Sequence, residues 1–401
     1  MMKANPGGEI APCNVVGRDR KIAELWDVLE RQSIVVVAER RMGKTTVLKK
    51  MRDEKPEDVL LLFCDVEGIG SPIEFVERVT SDLEVHLSLC QRGLTRLRKF
   101  CRHLEGAEIG SMKFPAAVAA DWKSLLECAA ENLADQLDGT QCIFIWDELP
   151  LMIQKICKKS GPDEAMEVLD ILRNLRQTHS TLRMVFSGSI GLHHIEAVLR
   201  EAGHNNDATN DMLTIEIPPL EEADGIYLAR ELLIGENLEV SDLNATAKCI
   251  AEQVDFIPYY IHHVVDTLKV RGKPASQDAV CQIVTEALGS SQNNWHLMHY
   301  KERLKHYYGD DRLPVVLKVL DEVAIVDEPV RFKTLFESIK STLSPHLSEF
   351  TGRMVHGDEE LLHEMLDLMQ RDHYLQLGRA GYRFQFNMIK RWWYIHRNLV
   401  A

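Results

Sequence analysis

Ala38-Glu-Arg-Arg-Met-Gly-Lys-Thr45 fits the phosphate-loop pattern, with alanine where the pattern usually begins with glycine. A short β-branched run, Ser33–Ala38, leads into the stretch, and a helix-forming stretch, Gly43–Met51, follows it. In such a strand-to-helix turn, backbone N–H groups converge on a phosphate and the helix N-terminus adds partial positive charge. The pattern therefore predicts a phosphate site at this turn, because the flanking elements are also of the required kind.

The residues of this loop have separate expected roles. Lys44 should reach the β- and γ-phosphates of a nucleotide, and Thr45 should bind Mg²⁺. The loop residues expected to hold the nucleotide are Ala38, Glu39, Arg40, Arg41, Met42, Gly43, Lys44, Thr45 and Thr46.

Four further apolar runs have the length and composition of buried strands. They are Val59–Cys64, Gln141–Trp146, Leu182–Phe186 and Leu213–Ile217. Helix-forming stretches separate these runs, and such alternation predicts an α/β fold with a parallel sheet and helices on both faces. Residues 67–140, between the second and third strands, exceed what a crossover requires and are predicted to be a helical insertion. One helix of that insertion, at residues 92–104, would be rich in arginine.

Polar side chains follow the third and fourth predicted strands. Asp147 and Glu148 come directly after an apolar run, where two acids have no packing role. Asp147 fits a Mg²⁺ ligand, and Glu148 fits the base that orients and polarises an attacking water. Ser187 and Ser189 end the next strand, and the carboxyl ends of parallel strands meet at one edge of the sheet. Their hydroxyls are therefore expected beside the γ-phosphate, with an ordinary Ser-Gly turn as the alternative.

The sequence after Pro219 is helical and divides the chain into further domains. Short alternating runs around Gly378–Gly381 indicate a β-hairpin, and three helix-like segments precede it. That combination predicts a winged helix. We expect a core at residues 1–218, a helical lid at residues 219–308 and the winged helix at residues 309–401.

Composition excludes several classes of protein. The chain has 401 residues, a net charge of −14 and nine cysteines without a Cys-x-x-Cys pair. An overall electrostatic attraction to nucleic acid is not expected, although a local basic patch is compatible with this charge. The N-terminus lacks the apolar core of a signal peptide, and no apolar run approaches the ~20 residues that span a bilayer. We therefore expect a cytoplasmic protein without a membrane segment.

Several motifs together resemble the archaeal-type ATPases of the AAA+ group, relatives of the origin-recognition initiators and the STAND signalling ATPases. The segments that carry the resemblance are Val16–Asp19, Glu39–Thr46, Asp147–Pro150, Phe186–Gly191, Ile257–His262 and Phe386–Trp393. The resemblance covers most of the chain. It implies ATP and Mg²⁺ as ligands, slow ATP hydrolysis, and a helical lid over the nucleotide that is followed by a winged helix.

The resemblance also implies roles for residues outside the phosphate loop. Gly17 and Arg18 would lie near the adenine, and Pro258 matches the lid proline that packs by the base. The glycine that usually stands two residues before that proline is Phe256 here. Ser189 or Ser187 matches the first sensor position. Arg200 lies where a trans-acting arginine is common, with a solvated surface charge as the alternative.

The winged helix leaves two functions open. Its third helix carries five acids between Asp358 and Asp367, which DNA phosphates would repel. Six basic residues gather nearby on the wing and terminal helix, and Asp372 is expected to be the only acid that opposes them: Arg371, Arg379, Arg383, Lys390, Arg391 and Arg397. We expect a nucleotide-driven switch that acts on a protein partner or on a second copy of the chain. A DNA-associated ATPase resembling replication initiators, with weak and non-specific DNA contact, is the alternative.

Overall fold

A computed structural model describes residues 1–87, 121–136 and 139–399 of the chain. These residues form two compact units. The first unit comprises Ala11–Ile217, and the second comprises Met1–Ile10 together with Pro218–Ala401.

The first unit is built on a five-stranded parallel sheet. Its strands are β1 (Ile34–Val37), β2 (Val59–Asp65), β3 (Gln141–Asp147), β4 (Leu182–Ser187) and β5 (Leu213–Glu216). They lie in the order β2-β3-β4-β1-β5. Asp65 pairs with Asp147, and Val36 pairs with Ser187, so polar residues of three strands end near one edge of the sheet.

Helices cover both faces of this sheet. They are α1 (Asp19–Leu29), α2 (Lys44–Asp53), α3 (Pro72–Leu87), α4 (Trp122–Gln136), α5 (Leu149–Ser160), α6 (Pro162–Thr178) and α7 (Leu192–Glu201), and a short 3-10 helix spans Pro12–Asn14. Successive residues of a strand point to opposite faces. Ile143 and Ile145 accordingly join the core beneath α1 and α2, while Phe144 and Trp146 join the core on the other face.

The predicted α/β class is confirmed, and all five predicted strands are present. Each strand begins and ends within one residue of its predicted bounds. Of the predicted insertion, α3 and α4 are described, and the arginine-rich helix predicted at residues 92–104 lies outside the described residues. No helix in the described part of the chain has both the length and the apolar character needed to cross a membrane.

The second unit is mostly helical. Its helices are α8 (Glu222–Gly235), α9 (Leu243–Gln253), α10 (Pro258–Arg271), α11 (Gln277–Gly289), α12 (His299–Ile325), α13 (Phe332–Thr342), α14 (Glu349–Val355), α15 (Glu359–Arg371) and α16 (Asn387–His396). An antiparallel hairpin of β6 (Leu375–Gly378) and β7 (Gly381–Phe384) precedes α16. Helices followed by this hairpin form the predicted winged helix.

The backbone at Gly309 (φ 63°, ψ 178°) is not helical and divides α12 into two helical segments, at the residue where the winged helix was predicted to begin. One feature of the second unit differs from the expectation. The seven-residue helix α14 is an addition, and the Ser348 side chain caps it by accepting a hydrogen bond from the Thr351 N–H at 3.0 Å. The boundary between a lid and a winged helix stays a prediction.

Three of the six basic residues near the wing are held by partners within the second unit. Lys390 forms an ion pair with Asp327 at 2.8 Å. Arg397 donates two hydrogen bonds to the carboxylate of Asp321, and Arg391 donates one to the side chain of Gln253. The expectation that only Asp372 opposes these cations is therefore wrong. Asp321 in α12 and Asp327 just after it also pair with them.

The two tryptophans of the terminal helix are buried. Trp392 is 2% exposed and Trp393 is fully buried, and the Trp393 indole donates a hydrogen bond to Asp321 at 2.9 Å. These contacts fasten α16 to the rest of the second unit.

Candidate functional site

The loop between β1 and α2 has the backbone geometry of an anion site. Arg41 (φ 74°) and Gly43 (φ 84°) both adopt left-handed conformations, and Gly43 caps the N-terminus of α2. Glycine reaches this conformation without steric cost. The loop therefore curves so that α2 begins at Lys44, with its first N–H groups facing the loop.

Lys44 is a buried cation beside two acids. Its side chain is 9% exposed, and its ammonium nitrogen has no hydrogen-bond partner among the described residues. The nearest carboxylate oxygen, Glu148 Oε1, lies 3.9 Å away, too far for a hydrogen bond. Burial lowers the pKa of Lys44, and the charges of Glu148 and Asp147 oppose that effect. A buried ammonium with free donors suits a polyphosphate, because each phosphate oxygen is a charged acceptor.

Asp147 is held by hydroxyl groups from two other elements. Its Oδ2 accepts a hydrogen bond from Thr45 Oγ1 at 2.7 Å, and its Oδ1 accepts one from Ser187 Oγ at 2.6 Å. The cluster is built from hard oxygen ligands, which Mg²⁺ prefers together with phosphate oxygens and water. Thr45 and Asp147 therefore fit the Mg²⁺ site expected from the sequence, and Ser187 fixes the orientation of the carboxylate.

The Glu148 side chain is held by the loop that follows β4. The residue has a left-handed backbone (φ 63°) and precedes the first residue of α5. Its Oε2 accepts hydrogen bonds from the Ser189 backbone N–H at 2.8 Å and the Ser189 hydroxyl at 2.9 Å. Gly188 permits this approach, because a Cβ there would lie 2.6 Å from a ring carbon of Pro150. The sequence alone did not predict this role for Gly188, although a glycine between two polar residues at a strand end can indicate a close contact.

Arg18 supports the phosphate loop from behind. The side chain is 4% exposed, and its Nη2 donates a hydrogen bond to the Met42 carbonyl at 2.8 Å. Gly17 precedes it with a left-handed backbone. Glu39 is also buried, and its carboxylate accepts a hydrogen bond from the Arg40 N–H at 2.7 Å. The structure thus gives Arg18 a contact with the loop, and its expected place near an adenine stays a prediction.

The remaining predicted site residues lie in different places. Ala38 and Thr46 are half-buried at the two ends of the loop, and Arg40 is exposed. Arg200 is exposed in the last turn of α7. Six of the predicted site residues form one connected cluster, which we call the acidic-hydroxyl cluster with Lys44. Its members are Lys44, Thr45, Asp147, Glu148, Ser187 and Ser189.

Pro258 opens α10 in the second unit, after an unusual turn. Asp255 (φ 51°) and Phe256 (φ 57°) both have left-handed backbones, which non-glycine residues seldom adopt. Phe256 stands where the resemblance implies a glycine, and it keeps the conformation that glycine favours. Its ring lies against Gly225, where a Cβ would be 2.9 Å from the ring.

The same turn is bonded to other parts of the second unit. The Asp255 carboxylate accepts a hydrogen bond from the Met388 N–H at 2.6 Å, at the start of α16. The Phe256 carbonyl accepts one from the Leu220 N–H at 3.1 Å. Burial raises the pKa of Asp255 to about 6, and the N–H groups of Met388 and Asn387 and the charge of Arg391 act in the opposite direction.

Comparison with known proteins gives one matching domain family and similar folds. Residues 28–196 match the family model described as an AAA domain. No curated protein matches the chain in sequence. A solved Walker-type ATPase of Pyrococcus abyssi is similar in fold, with a TM-score of 0.65 at 15% identity over 98% of this chain and 99% of that chain. The ORC2 protein of Aeropyrum pernix in its ADPNP-ADP complexes gives a TM-score of 0.51 at 11% identity over 95% and 93% of the two chains.

Proposed function

We propose that this P-loop ATPase, whose residues 28–196 are an AAA domain, is a switch whose nucleotide state controls a partner protein. The observation that carries the proposal is the acidic-hydroxyl cluster with Lys44, because it combines a buried cation suited to phosphates, oxygen ligands suited to Mg²⁺ and a carboxylate suited to activate water. A second compact unit follows this site in the chain and provides an element that a change of nucleotide can move.

The chemistry follows from the positions of the side chains. Lys44 meets the β- and γ-phosphates through donors that have no other partner among the described residues. Thr45 and Asp147 would hold Mg²⁺, which would neutralise charge on the phosphates. Glu148 accepts a proton from the attacking water, and the two hydrogen bonds from Ser189 hold its carboxylate in one orientation.

The charge distribution favours a protein partner over DNA. The chain carries a net charge of −14, and Lys390, Arg391 and Arg397 already have partners within the second unit. The other three basic residues are exposed and remain available for a phosphate backbone: Arg371 at the end of α15, and Arg379 and Arg383 on the hairpin. Three exposed cations support only weak, salt-sensitive binding.

The proposal is tested with Glu148→Gln, which keeps the shape of the side chain and removes its basicity. This variant should bind ATP and hydrolyse it about 10²-fold to 10⁴-fold more slowly than the wild type. Proteins captured on Glu148→Gln with ATP are compared with those captured on Lys44→Ala with ATP. Hydrogen exchange of the second unit is measured in both variants.

A partner retained by Glu148→Gln alone, together with altered exchange in the second unit, supports the switch. Identical captured proteins and identical exchange in the two variants would overturn it. Equal single-turnover hydrolysis in Glu148→Gln and wild type would remove Glu148 from the chemistry.

DNA-associated ATPase activity is the second candidate, and the exposed arginines of the hairpin favour it. Duplex binding through this hairpin would be insensitive to sequence and would weaken steeply with salt. Arg379→Ala/Arg383→Ala should then lower binding to all duplexes alike and make the salt dependence shallower. Tight binding of one duplex at physiological salt, lost when α15 is altered, would favour this candidate over the protein switch.

A further inference from the structure

Two cysteines on neighbouring helices of the second unit lie in contact. Cys249 Sγ in α9 and Cys281 Sγ in α11 are 4.0 Å apart. Cys281 is exposed and Cys249 is half-buried. A disulfide brings two sulfur atoms to about 2.05 Å, so side-chain rotation and a small approach of the helices would join them.

Backbone pairing holds the two helices side by side at their N-terminal ends. Val240 and Ala275 form a parallel bridge, and the Ser241 N–H donates to the Ala275 carbonyl at 3.1 Å. Asp242 then caps α9, and Ser276 caps α11. The paired segment before α9 and α11 fixes how the two helices are aligned along their axes. The two cysteines lie within these helices and not in a loop, so their contact is a consequence of the fold.

We infer that Cys249 and Cys281 form a reversible dithiol–disulfide site that reacts with small disulfide compounds of the glutathione type. The site lies outside the acidic-hydroxyl cluster with Lys44, and the inference does not depend on the proposed switch.

Exposure sets the order of the two steps. The exposed Cys281 thiolate attacks one sulfur of the reagent, the reagent's S–S bond breaks, and one reagent thiolate leaves. Cys249 then loses its proton and attacks the Cys281 sulfur of the mixed disulfide, and the second reagent thiolate leaves. Two protein thiols are oxidised, one reagent disulfide is reduced, and the two protons end on the two reagent thiols.

The surroundings of Cys249 make it the second thiol to react. Burial raises the pKa of Cys249 to about 12, and negative charge at Cys281, Glu252 and Asp278 adds to that effect. The thiolate is the reacting form of cysteine, so Cys249 stays protonated and unreactive while both thiols are free. When Cys281 is capped by the reagent, its negative charge is removed, and the attacking and attacked sulfurs are already neighbours.

The disulfide would enclose the turn at Asp255 and the whole of α10 in a covalent loop. Loop closure lowers the entropy of the unfolded chain and so stabilises the native state when the bond is not strained. Oxidation should therefore raise the melting temperature of the second unit by several degrees, and a reducing agent should reverse that rise.

The full-length protein is incubated with oxidised glutathione, and its mass is measured without reduction. The wild type should lose about 2 Da, the mass of two hydrogen atoms, and yield a peptide pair joined through Cys249 and Cys281. Cys249→Ser should instead retain one glutathione on Cys281, because the resolving thiol is absent. Cys281→Ser should form neither product, and Cys157→Ser should behave like the wild type.

A stable glutathione adduct on wild-type Cys281 without an intramolecular bond would overturn the inference. So would a cross-link to a different cysteine, or an oxidised protein that melts at or below the temperature of the reduced one.

Discussion

Ser189 donates two hydrogen bonds to a single oxygen of Glu148, from its backbone N–H at 2.8 Å and from its hydroxyl at 2.9 Å. Ser187, two residues earlier, donates its hydroxyl to Asp147 at 2.6 Å. The two serines at the end of β4 thus serve two different acids. This division allows their roles to be separated by mutation.

Ser189→Ala should lower the rate of ATP hydrolysis by about five- to tenfold, because Glu148 keeps only the backbone hydrogen bond. Its ATP affinity should not change. Ser187→Ala should instead raise the Mg²⁺ concentration needed for half-maximal hydrolysis, because Asp147 loses a partner that orients it. Titrations of Mg²⁺ and ATP at steady state measure both effects, and the same change in the same parameter for both variants would contradict the division.

Lys44→Ala should weaken ATP binding by about tenfold to a hundredfold, the usual contribution of hydrogen bonds from a charged donor. Lys49→Ala is the matched control, since it lies on α2 about 140° around the helix axis from Lys44. Binding is measured by calorimetry with ATP and Mg²⁺. An unchanged affinity in Lys44→Ala, or an equal loss in both variants, would show that the phosphates lie elsewhere.

Arg200 is proposed to complete the site of a second copy of the chain. ATP hydrolysis per protein molecule should then rise with protein concentration, and Arg200→Ala should remove that rise and lower the maximal rate about tenfold or more. Arg31→Ala, which removes an exposed cation beside the end of α1, should preserve the concentration dependence. A constant specific rate, with a monomeric mass in ATP, would leave Arg200 as a solvated surface charge.

Asp255 should make the stability of the second unit depend on pH. The fold raises the pKa of this carboxyl from 3.8 to about 6, so its contribution to stability is fully present below pH 3.8 and is lost as pH rises through about 6. The loss at neutral pH is at most about 3 kcal/mol. Asp255→Asn keeps an acceptor for the Met388 N–H and has no charge to desolvate.

Urea unfolding of Asp255→Asn at several pH values tests this dependence. The variant should be more stable than the wild type at pH 7.5, and the difference should shrink as the pH falls below about 6. Glu252→Gln, which removes an exposed acid from the last turn of α9, three residues before Asp255, should retain the wild-type dependence of stability on pH. Parallel stability profiles for Asp255→Asn and wild type would refute the assigned sign.

The sequence predicted those features that depend on local patterns. Buried parallel strands are apolar on both faces, so runs such as Gln141–Trp146 stand out without an alignment. The phosphate loop directly follows β1, and Asp147 and Glu148 stand at the end of β3, so these site residues are likewise adjacent to their strands. The helix α14 was not predicted because its seven residues make less than two full turns, which is too short to show a helical pattern of apolar residues.

Contacts between distant positions could not be predicted in the same way. Asp321 meets Arg397 across 76 positions, and Gln253 meets Arg391 across 138. Periodicity describes one element at a time and says nothing about which charged residues the tertiary structure brings together. The sequence therefore did not reveal that three of the six basic residues of the wing and terminal helix have partners within the second unit.

The contact between Phe256 and Gly225 has a consequence for how this turn can change in evolution. A side chain at the left-handed position 256 costs about 1 kcal/mol relative to glycine. Its ring also occupies the space that a larger residue at position 225 would need. The two positions are therefore coupled through volume: glycine at 256 would make room for alanine at position 225, whereas phenylalanine at 256 confines position 225 to glycine. Homologous chains should accordingly exchange the small residue between these two sites and not vary them independently.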